Sequence, residues 1–113
     1  MILDTAKRLA EELHSSEEYR LFSSLKNEIT ADASLKSMLD EYRRMQVRVQ
    51  AEIVSGRSSE ENRLRLQKTG ELLQMDARAS AYLIAEYRLN CLLSEVYRIL
   101  GAAVDVDLSV LEG

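Results

Sequence analysis

Residues 76–100, DARASAYLIAEYRLNCLLSEVYRIL, decide the fold of this chain. Their apolar residues recur at steps of three and four, the spacing that places side chains on one face of an α-helix. That face consists of Ala79, Tyr82, Leu83, Leu89, Leu93, Val96, Leu100 and, further on, Val104. A second set widens it around the helix: Ile84, Tyr87, Cys91, Leu92 and Ile99. Since an ordinary surface helix has a single apolar face, the segment predicts a long central helix that also meets another subunit.

Composition predicts the same fold class. The chain has 113 residues, of which 46% are hydrophobic and 30% charged, and this balance suits a single domain over residues 1–113. It contains no proline and only 4 glycines, the two residue types that most weaken a helix interior. The sequence therefore predicts an all-α protein.

Two helices are predicted at the start of the chain. The first covers about residues 4–15, and its inward face consists of Leu3, Ala6, Leu9, Ala10 and Leu13. The second begins at Ser15, which forms a capping box with Glu18, or at the alternative cap Ser16. The residues on its next face are Tyr19, Phe22, Leu25, Lys26 and Ile29.

A third helix is predicted over residues 33–55, with Asp32 or Ser34 as its cap. Its apolar positions approximate a heptad seam made of Leu35, Leu39, Tyr42, Met45, Val49 and Ile53. Gly56 is expected to end this helix in a left-handed conformation.

The remaining helices follow the loop at residues 57–59. Ser58 and Glu61 have capping-box spacing and predict a fourth helix toward Leu73. We expect a break near residues 74–76, with Asp76 as the cap of the fifth helix. Because short joints make neighbouring helices run roughly antiparallel, the predicted architecture is a helical bundle of about five helices with a long C-terminal helix.

Residues 102–113 form a short apolar-acidic tail. Apolar and acidic residues alternate there, in Val104-Asp105-Val106-Asp107-Leu108. The apolar side chains of Val106, Leu108, Val110 and Leu111 favour packing of the tail along the bundle.

The net charge of −4 argues against stand-alone binding of nucleic acid, which depends on Lys and Arg to neutralise phosphates. Basic residues do cluster locally, at Arg43, Arg44, Arg48, Arg57, Arg63, Arg65 and Lys68. The first interpretation is a solvated helical face, since Glu60, Glu61 and Glu71 are interspersed. The alternative is a patch that docks an acidic partner, or RNA within a larger assembly.

Catalytic and metal-binding patterns are incomplete. Glu11 and His14 have the Glu-x-x-His spacing of helical di-iron sites, but such sites need a second motif and His14 is the only histidine. Nothing in the spacing pairs His14 with Cys91 or a serine as a nucleophile and base. We therefore expect no enzyme activity, no metal and no cofactor.

The sequence also predicts a cytoplasmic location. No apolar run approaches the ~20 residues that a membrane-spanning helix needs, so direct membrane insertion is not expected. Charged residues interrupt the N-terminal segment, which therefore lacks the apolar core of a secretory signal. The single cysteine offers no intrachain disulfide.

Two phrases of the long helix resemble a known family. They are YLIAEYRL at residues 82–89 and LLSEVYRILG at residues 92–101. The chain resembles the YlbF/YmcA family of small helical bacterial proteins from Ala6 through the tail. That resemblance implies a regulatory role in competence, sporulation and biofilm formation, exerted in a complex that modulates the membrane-anchored endoribonuclease RNase Y. Family paralogues are then possible partners.

The resemblance also raises an iron–sulfur cluster shared within that complex. Cluster ligation generally takes four thiolates, whereas this chain offers Cys91 alone. As a helical residue of the core, Cys91 is expected to be a small buried hydrophobe. Cluster ligation together with partner subunits is the alternative.

We predict a homo-oligomer, most simply a dimer, with the fifth helix at the interface. The candidate interface residues are Tyr82, Glu86, Leu89, Asn90, Leu92, Leu93, Val96 and Ile99. Glu86 and Asn90 either reach solvent at a groove or make a buried polar contact that fixes subunit pairing. For the second case, Arg43 or Arg88 of another copy is the natural partner of Glu86.

Two function classes follow. The favoured one is a non-enzymatic regulatory or adaptor protein that acts through protein contacts. The alternative is a small-ligand- or metal-binding helical bundle, or an enzyme subunit, with a cavity near Glu86, Asn90 and Tyr82.

Overall fold

The structure, a computed structural model, describes residues 1–108. Five helices follow one another within this range, and it contains no strand. They are α1 (Ile2–His14), α2 (Glu17–Thr30), α3 (Ala33–Val54), α4 (Glu60–Met75) and α5 (Ala77–Val104). The predicted all-α class and the long C-terminal helix are confirmed. Because α5 continues to Val104, the predicted tail begins three residues later than residue 102.

The joint between α1 and α2 is capped by Ser16, which corrects the preference for Ser15. The Ser16 hydroxyl accepts a hydrogen bond from the backbone N–H of Tyr19 at 3.1 Å. It also donates to the carbonyl oxygen of Leu13 at 2.6 Å. The hydroxyl thus caps the start of α2 and adds a second hydrogen bond to the Leu13 carbonyl at the end of α1, which also accepts from the N–H of Ser16.

The ends of α3 follow the sequence prediction. Of the two proposed caps, Asp32 is the one used, since its carboxylate accepts from the N–H of Leu35 at 3.1 Å. Gly56 has φ +73° and ends the helix in the left-handed region that glycine adopts without a steric penalty. Along the predicted seam Leu35, Leu39 and Val49 are buried, whereas Ile53 remains 51% exposed.

The start of α4 corrects the sequence prediction by one residue. Ser59, not Ser58, is the N-cap, and its hydroxyl accepts from the N–H of Asn62 at 3.3 Å. The Asn62 side chain donates to both carboxylate oxygens of Glu52 at 2.9 and 3.1 Å. These bonds link the last turns of α3 to the first turn of α4.

Further along, α3 and α4 come close at Gly70. A Cβ at Gly70 would lie 3.3 Å from Cε2 of Tyr42, a tighter distance than ordinary van der Waals contact. Contacts of Glu52 with Asn62 near the joint and of Tyr42 with Gly70 away from it make α3 and α4 an antiparallel hairpin. Because Gly70 has no side chain, the Tyr42 ring can pack closely against α4 there, and this packing offsets the poor helix propensity of glycine.

The end of α5 is a turn that folds the chain back over the helix. Asp105 is left-handed, with φ 57°, and the N–H of Val106 donates to the carbonyl oxygen of Gly101 at 2.9 Å. This bond closes a Schellman-type cap. The predicted packing of the tail is seen at Leu108, which is half-buried beside Gly101; Val110 and Leu111 lie outside the described residues.

The chain divides into two compact units, whose boundaries fall inside α2 and α5. One unit comprises residues 25–82 and holds most of the buried apolar side chains: Ile29, Leu35, Leu39, Val49, Leu73, Ala79 and Tyr82. The other comprises residues 1–24 and 83–113. In its described part, only Ala85 and Gly101 are buried.

The first helix corrects a burial prediction. No residue of α1 is buried, and Leu3 from the predicted inward face is 73% exposed. Periodicity predicted the helix and its apolar face correctly, but the chain itself leaves that face largely uncovered.

Candidate functional site

The long helix begins at Asp76, as predicted. One oxygen of its carboxylate accepts from the N–H groups of Arg78 at 2.9 Å and Ala79 at 3.1 Å. The pKa of Asp76 lies below its ordinary value, chiefly because the hydrogen bond from the N–H of Ala79 stabilises the ionised carboxylate. This cap separates α4 from α5, which are therefore two helices.

Apolar side chains remain exposed along the part of α5 in the N- and C-terminal unit. Ile84 is 52% exposed and Ile99 56% exposed, whereas Leu89, Leu92, Leu93 and Val96 of the same 28-residue helix are half-buried. The large exposed apolar residues of this unit in residues 1–108 are Met1, Ile2, Leu3, Leu21, Ile84, Tyr87, Ile99, Leu100, Val104 and Val106. We call the subset on α5 (Ile84, Tyr87, Ile99, Leu100 and Val104) the α5 apolar surface.

The predicted interface residues occupy different environments in the single chain. The half-buried residues among them are Glu86, Leu89, Leu92, Leu93 and Val96. Asn90 and Ile99 are exposed. The chain thus leaves part of the predicted interface open, and pairing with a second copy stays a prediction.

Tyr82 differs from the other predicted interface residues, because it lies in the core of its own unit with 7% of its surface exposed. Its hydroxyl accepts a hydrogen bond from Nη2 of Arg43 at 3.0 Å. The Arg43 guanidinium carbon also lies 5.7 Å from the Tyr82 ring centroid, within range of a cation–π contact. Little of Tyr82 is available to a second copy.

A groove of about 660 Å³ lies between α5 and the returning chain after it. Its lining includes Tyr87, Asn90, Cys91, Ser94, Tyr97 and Leu108. A cavity was predicted near Tyr82, Glu86 and Asn90. Of these three residues, Asn90 lines the groove, whereas Tyr82 and Glu86 do not. A cavity shared by all three residues stays a prediction.

Cys91 is exposed, which contradicts its predicted burial in the core. Its side chain forms a hydrogen bond with the Tyr87 hydroxyl one turn earlier, and this bond raises the pKa of Tyr87. A negative charge on the Cys91 thiol would raise the pKa of Tyr87 further, since a tyrosinate beside a thiolate is unfavourable. The pair lies on the wall of the groove.

His14 lies at the end of α1, where it is exposed and its ring centroid is 4.8 Å from that of Tyr19. Within residues 1–108, no three His, Cys, Asp or Glu side chains are grouped closely enough to hold a metal ion. The Glu11–His14 spacing is thus not completed by further ligands from the described helices.

A second groove, which sequence reasoning only partly anticipated, lies between α3 and α4. It has a volume of about 390 Å³ and is lined by Glu41, Arg44, Met45, Arg48, Val49, Asn62 and Arg65. The predicted basic cluster is therefore divided: Arg43 turns toward Tyr82, while Arg44 and Arg48 face this groove with Arg65. The sequence signal was the arginine spacing on α3, but nothing local pointed to Asn62.

Comparison with known proteins decides the relationship. Residues 2–105 match the family described as "Control of competence regulator ComK, YlbF/YmcA". The chain belongs to this family. The resemblance inferred from residues 82–101 is therefore confirmed, and the match extends over nearly the whole sequence.

Members of the UPF0342 group are similar to this chain over most of their length. A UPF0342 protein of Symbiobacterium thermophilum is 37% identical over 93% of this chain and 95% of its own length. A UPF0342 protein of Clostridium novyi is 34% identical over 94% of each chain. The UPF0342 protein YheA of Bacillus subtilis is 31% identical over 97% of this chain and 95% of its own.

In the part of the chain that the structure describes, no helix combines the length and the apolar character required to cross a membrane.

Proposed function

We propose that the protein is a non-enzymatic regulatory adaptor that acts through protein–protein contacts as a homodimer in the cytoplasm. The observation that carries this proposal is the α5 apolar surface. Its unit, residues 1–24 and 83–108, leaves large side chains exposed from Ile2 to Val106 while burying little beyond Ala85.

An apolar surface of this kind costs free energy in water, at roughly 25 cal/mol for each Å² that pairing could bury. Monomeric proteins rarely expose contiguous apolar patches beyond a few hundred Å². Two-fold pairing covers the same surface on both copies at once and is the commonest oligomeric arrangement. The half-buried residues Leu92 and Val96 would then complete an interface with exposed Ile99.

The lowered pKa values of carboxylates in or capping α3 and α5 have structural causes. Each carboxylate there whose pKa is lowered owes the shift to a helix-cap N–H or to a nearby Lys or Arg. Such shifts stabilise helix ends and surface pairs, whereas catalytic groups need a pKa matched to proton transfer. Helix capping and surface pairing account for these shifts without a catalytic role.

Family membership supports the biological role. The family is linked by its description to control of competence. We propose that this protein shares the finer role implied by the resemblance, in sporulation and biofilm formation and in a complex with family paralogues and an RNase Y-type endoribonuclease. No resident cofactor is part of this proposal.

Multi-angle light scattering of the purified protein tests the dimer. We expect twice the monomer mass of 12.9 kDa at micromolar concentration. Ile99→Glu and Leu92→Glu should each give a monomer, because a carboxylate would be desolvated against apolar neighbours. Gln50→Glu, at an exposed position of α3, is the matched control and should stay dimeric. A monomeric wild type would refute this part of the proposal.

Affinity purification of the tagged protein from its own bacterium tests the regulatory complex. We expect the RNase Y homologue and family paralogues to co-purify with the wild type and with Gln50→Glu. A dimer that recovers neither would contradict the RNase Y link and leave the adaptor without its proposed target.

The groove beside Cys91 favours a second candidate, a small-ligand-binding role. Its volume of about 660 Å³ lies within the range of about 300–1,000 Å³ that is typical of ligand sites. Native mass spectrometry and elemental analysis of the purified protein test it. A bound molecule or metal retained by the wild type and lost in Ser94→Trp would favour this function, whereas an unliganded mass for both would exclude it for the purified protein.

A further inference from the structure

The groove between α3 and α4 has an apolar floor and a basic rim. Val49 is buried, with 7% of its surface exposed, and Met45 beside it is half-buried. Arg44, Arg48 and Arg65 are exposed and line the same groove. A ligand in this position would meet apolar contacts below and guanidinium groups at its edges.

Among residues 1–108 the three arginines are not tied up in ion pairs, although Arg44, after Lys36, helps to lower the pKa of Asp40, whose carboxylate pairs with Lys36. None of them makes an ion pair within 4 Å among residues 1–108, whereas Arg78 and Arg98 pair with Asp32 and Glu95. The groove holds one carboxylate, Glu41, which leaves a formal excess of two positive charges (three minus one). Arginines left in this state are available to an anion.

One wall of the groove is already held in place. Asn62 is fixed through its side chain to Glu52 and through its backbone N–H to the Ser59 hydroxyl. Those bonds hold the Glu52 carboxylate at Asn62 without removing its charge, and within residues 1–108 it makes no ion pair within 4 Å with the three arginines. A wall fixed before binding reduces the entropy that association costs.

We propose that this groove binds a short acidic, apolar-containing peptide segment of a partner protein. The guanidinium groups of Arg44, Arg48 and Arg65 hold its carboxylates, since arginine pairs with carboxylates through two parallel hydrogen bonds. A Leu-sized side chain of the peptide rests on Met45 and Val49. The inference deepens the adaptor function and rests on it for its biological meaning, but it uses a different surface from α5.

Charge favours a peptide over RNA in this groove. The chain carries a net charge of −4, and the first turn of α4 contains Glu60 and Glu61. A polyphosphate needs a continuous row of cations along its backbone, whereas these three arginines are confined to a groove of about 390 Å³ interrupted by Glu41. A peptide can place two or three carboxylates there and keep its remaining residues away from the acidic turn.

Fluorescence polarisation with a labelled peptide of sequence DLEDLED tests the proposal. We expect saturable binding that weakens as salt is raised, and no binding of the neutral analogue NLQNLQN. Arg48→Glu and Arg65→Glu should each weaken binding about tenfold or more, because each removes a charge-assisted hydrogen bond and adds repulsion.

Arg63→Glu is the matched control, since Arg63 is an exposed arginine of α4 that does not line the groove. It makes the same charge change and should bind like the wild type, with circular dichroism confirming that all variants are folded. If Arg63→Glu lost as much peptide binding as the groove variants, net charge alone would explain the effect and the proposal would be overturned. Tighter binding of a labelled uridine oligonucleotide than of the peptide would also overturn it. Absence of peptide binding by the folded wild type would also overturn it.

Ile99→Glu separates this proposal from the proposed dimer. That variant should lose the dimer and keep peptide binding, because its substitution lies on the other unit. A wild type that is dimeric but binds no peptide would refute the groove alone.

Discussion

The Arg78 guanidinium donates a hydrogen bond to Oδ2 of Asp32 at 2.7 Å. Oδ1 of the same carboxylate accepts from the N–H of Leu35 and caps α3. Asp32 therefore holds the start of α3 and the first turn of α5 together. Arg78 in turn also lies 3.5 Å from the Asp76 carboxylate that caps α5.

Replacing Asp32 should separate its two roles. Asp32→Ala removes both the cap and the ion pair, whereas Asp32→Asn keeps an oxygen that can cap α3 and loses only the charge. We expect the melting temperature to fall in the order wild type, Asp32→Asn, Asp32→Ala. Ser34→Ala is the control and should melt like the wild type, because Asp32 is the cap. A larger effect at Ser34 would show that the cap is misassigned.

Stability should fall in acid because of Asp32 and Asp76. The N–H of Leu35 and the Arg78 guanidinium lower the pKa of Asp32 below its ordinary value of 3.8, and the N–H of Ala79 does the same for Asp76. These bonds exist only in the folded state, so the unfolded chain binds protons more readily. The stabilisation is therefore complete above the unfolded pKa and is lost as the pH falls through the folded values.

Urea denaturation at a series of pH values from about 6 to about 3 would measure this dependence. We expect the double variant Asp32→Asn/Asp76→Asn to be less stable than the wild type at neutral pH and to lose less stability on acidification. Parallel curves for the two proteins would contradict the assignment.

The start of α4 offers a test between neighbouring serines. Ser59→Ala should lower the free energy of unfolding by about 1 kcal/mol, because it removes the acceptor for the N–H of Asn62. Ser58→Ala should change it by no more than a few tenths of that, since Ser58 is exposed and does not cap the helix. Chemical denaturation measures both, and a reversed order would restore the cap predicted from spacing.

Gly101→Ala should open the turn that follows α5. A Cβ there would lie 2.3 Å from the carbonyl oxygen of Val106, a distance that no real Cβ tolerates. Alanine stabilises a helix interior by roughly 1 kcal/mol relative to glycine. A lower free energy of unfolding in Gly101→Ala would therefore show that the clash outweighs this gain. Hydrogen exchange should report lost protection at the N–H of Val106, which donates to Gly101 in the wild type.

Gly70→Ala is the control for that experiment. Its Cβ would meet only the ring edge of Tyr42 at 3.3 Å, and a half-buried side chain can shift by a few tenths of an ångström more readily than a backbone carbonyl. The exchange pattern at Val106 should stay unchanged in Gly70→Ala. Equal protection in both variants would contradict the close approach at Gly101.

Local features were predictable to within about one residue. Asp32, Gly56 and Asp76 end or begin helices as expected, because each acts through a hydrogen bond or backbone angle set by its immediate neighbours. Where two serines are adjacent, spacing favoured Ser15 and Ser58, and the structure uses the following residue each time. Either serine fits the local rule, so the choice depends on where packing requires the helix to begin.

Burial was less predictable than helix position. Leu3 belongs to the apolar face expected of α1 yet is 73% exposed, and Cys91 lies in an apolar stretch yet is exposed. Periodicity shows which side of a helix is apolar. It contains no information on whether the same chain or another one covers that side.

The sequence by itself determined the all-α class, the helix order, the long fifth helix and the family. These properties arise from contacts within a few residues or from the order of residues in one segment. Tertiary structure alone decided that Arg43 turns inward to Tyr82, 39 residues away, and that Arg78 reaches Asp32 across 46 residues. It also brought Arg48 and Arg65 to one groove, because side chains distant in sequence become neighbours only when packed helices fix their spacing and direction.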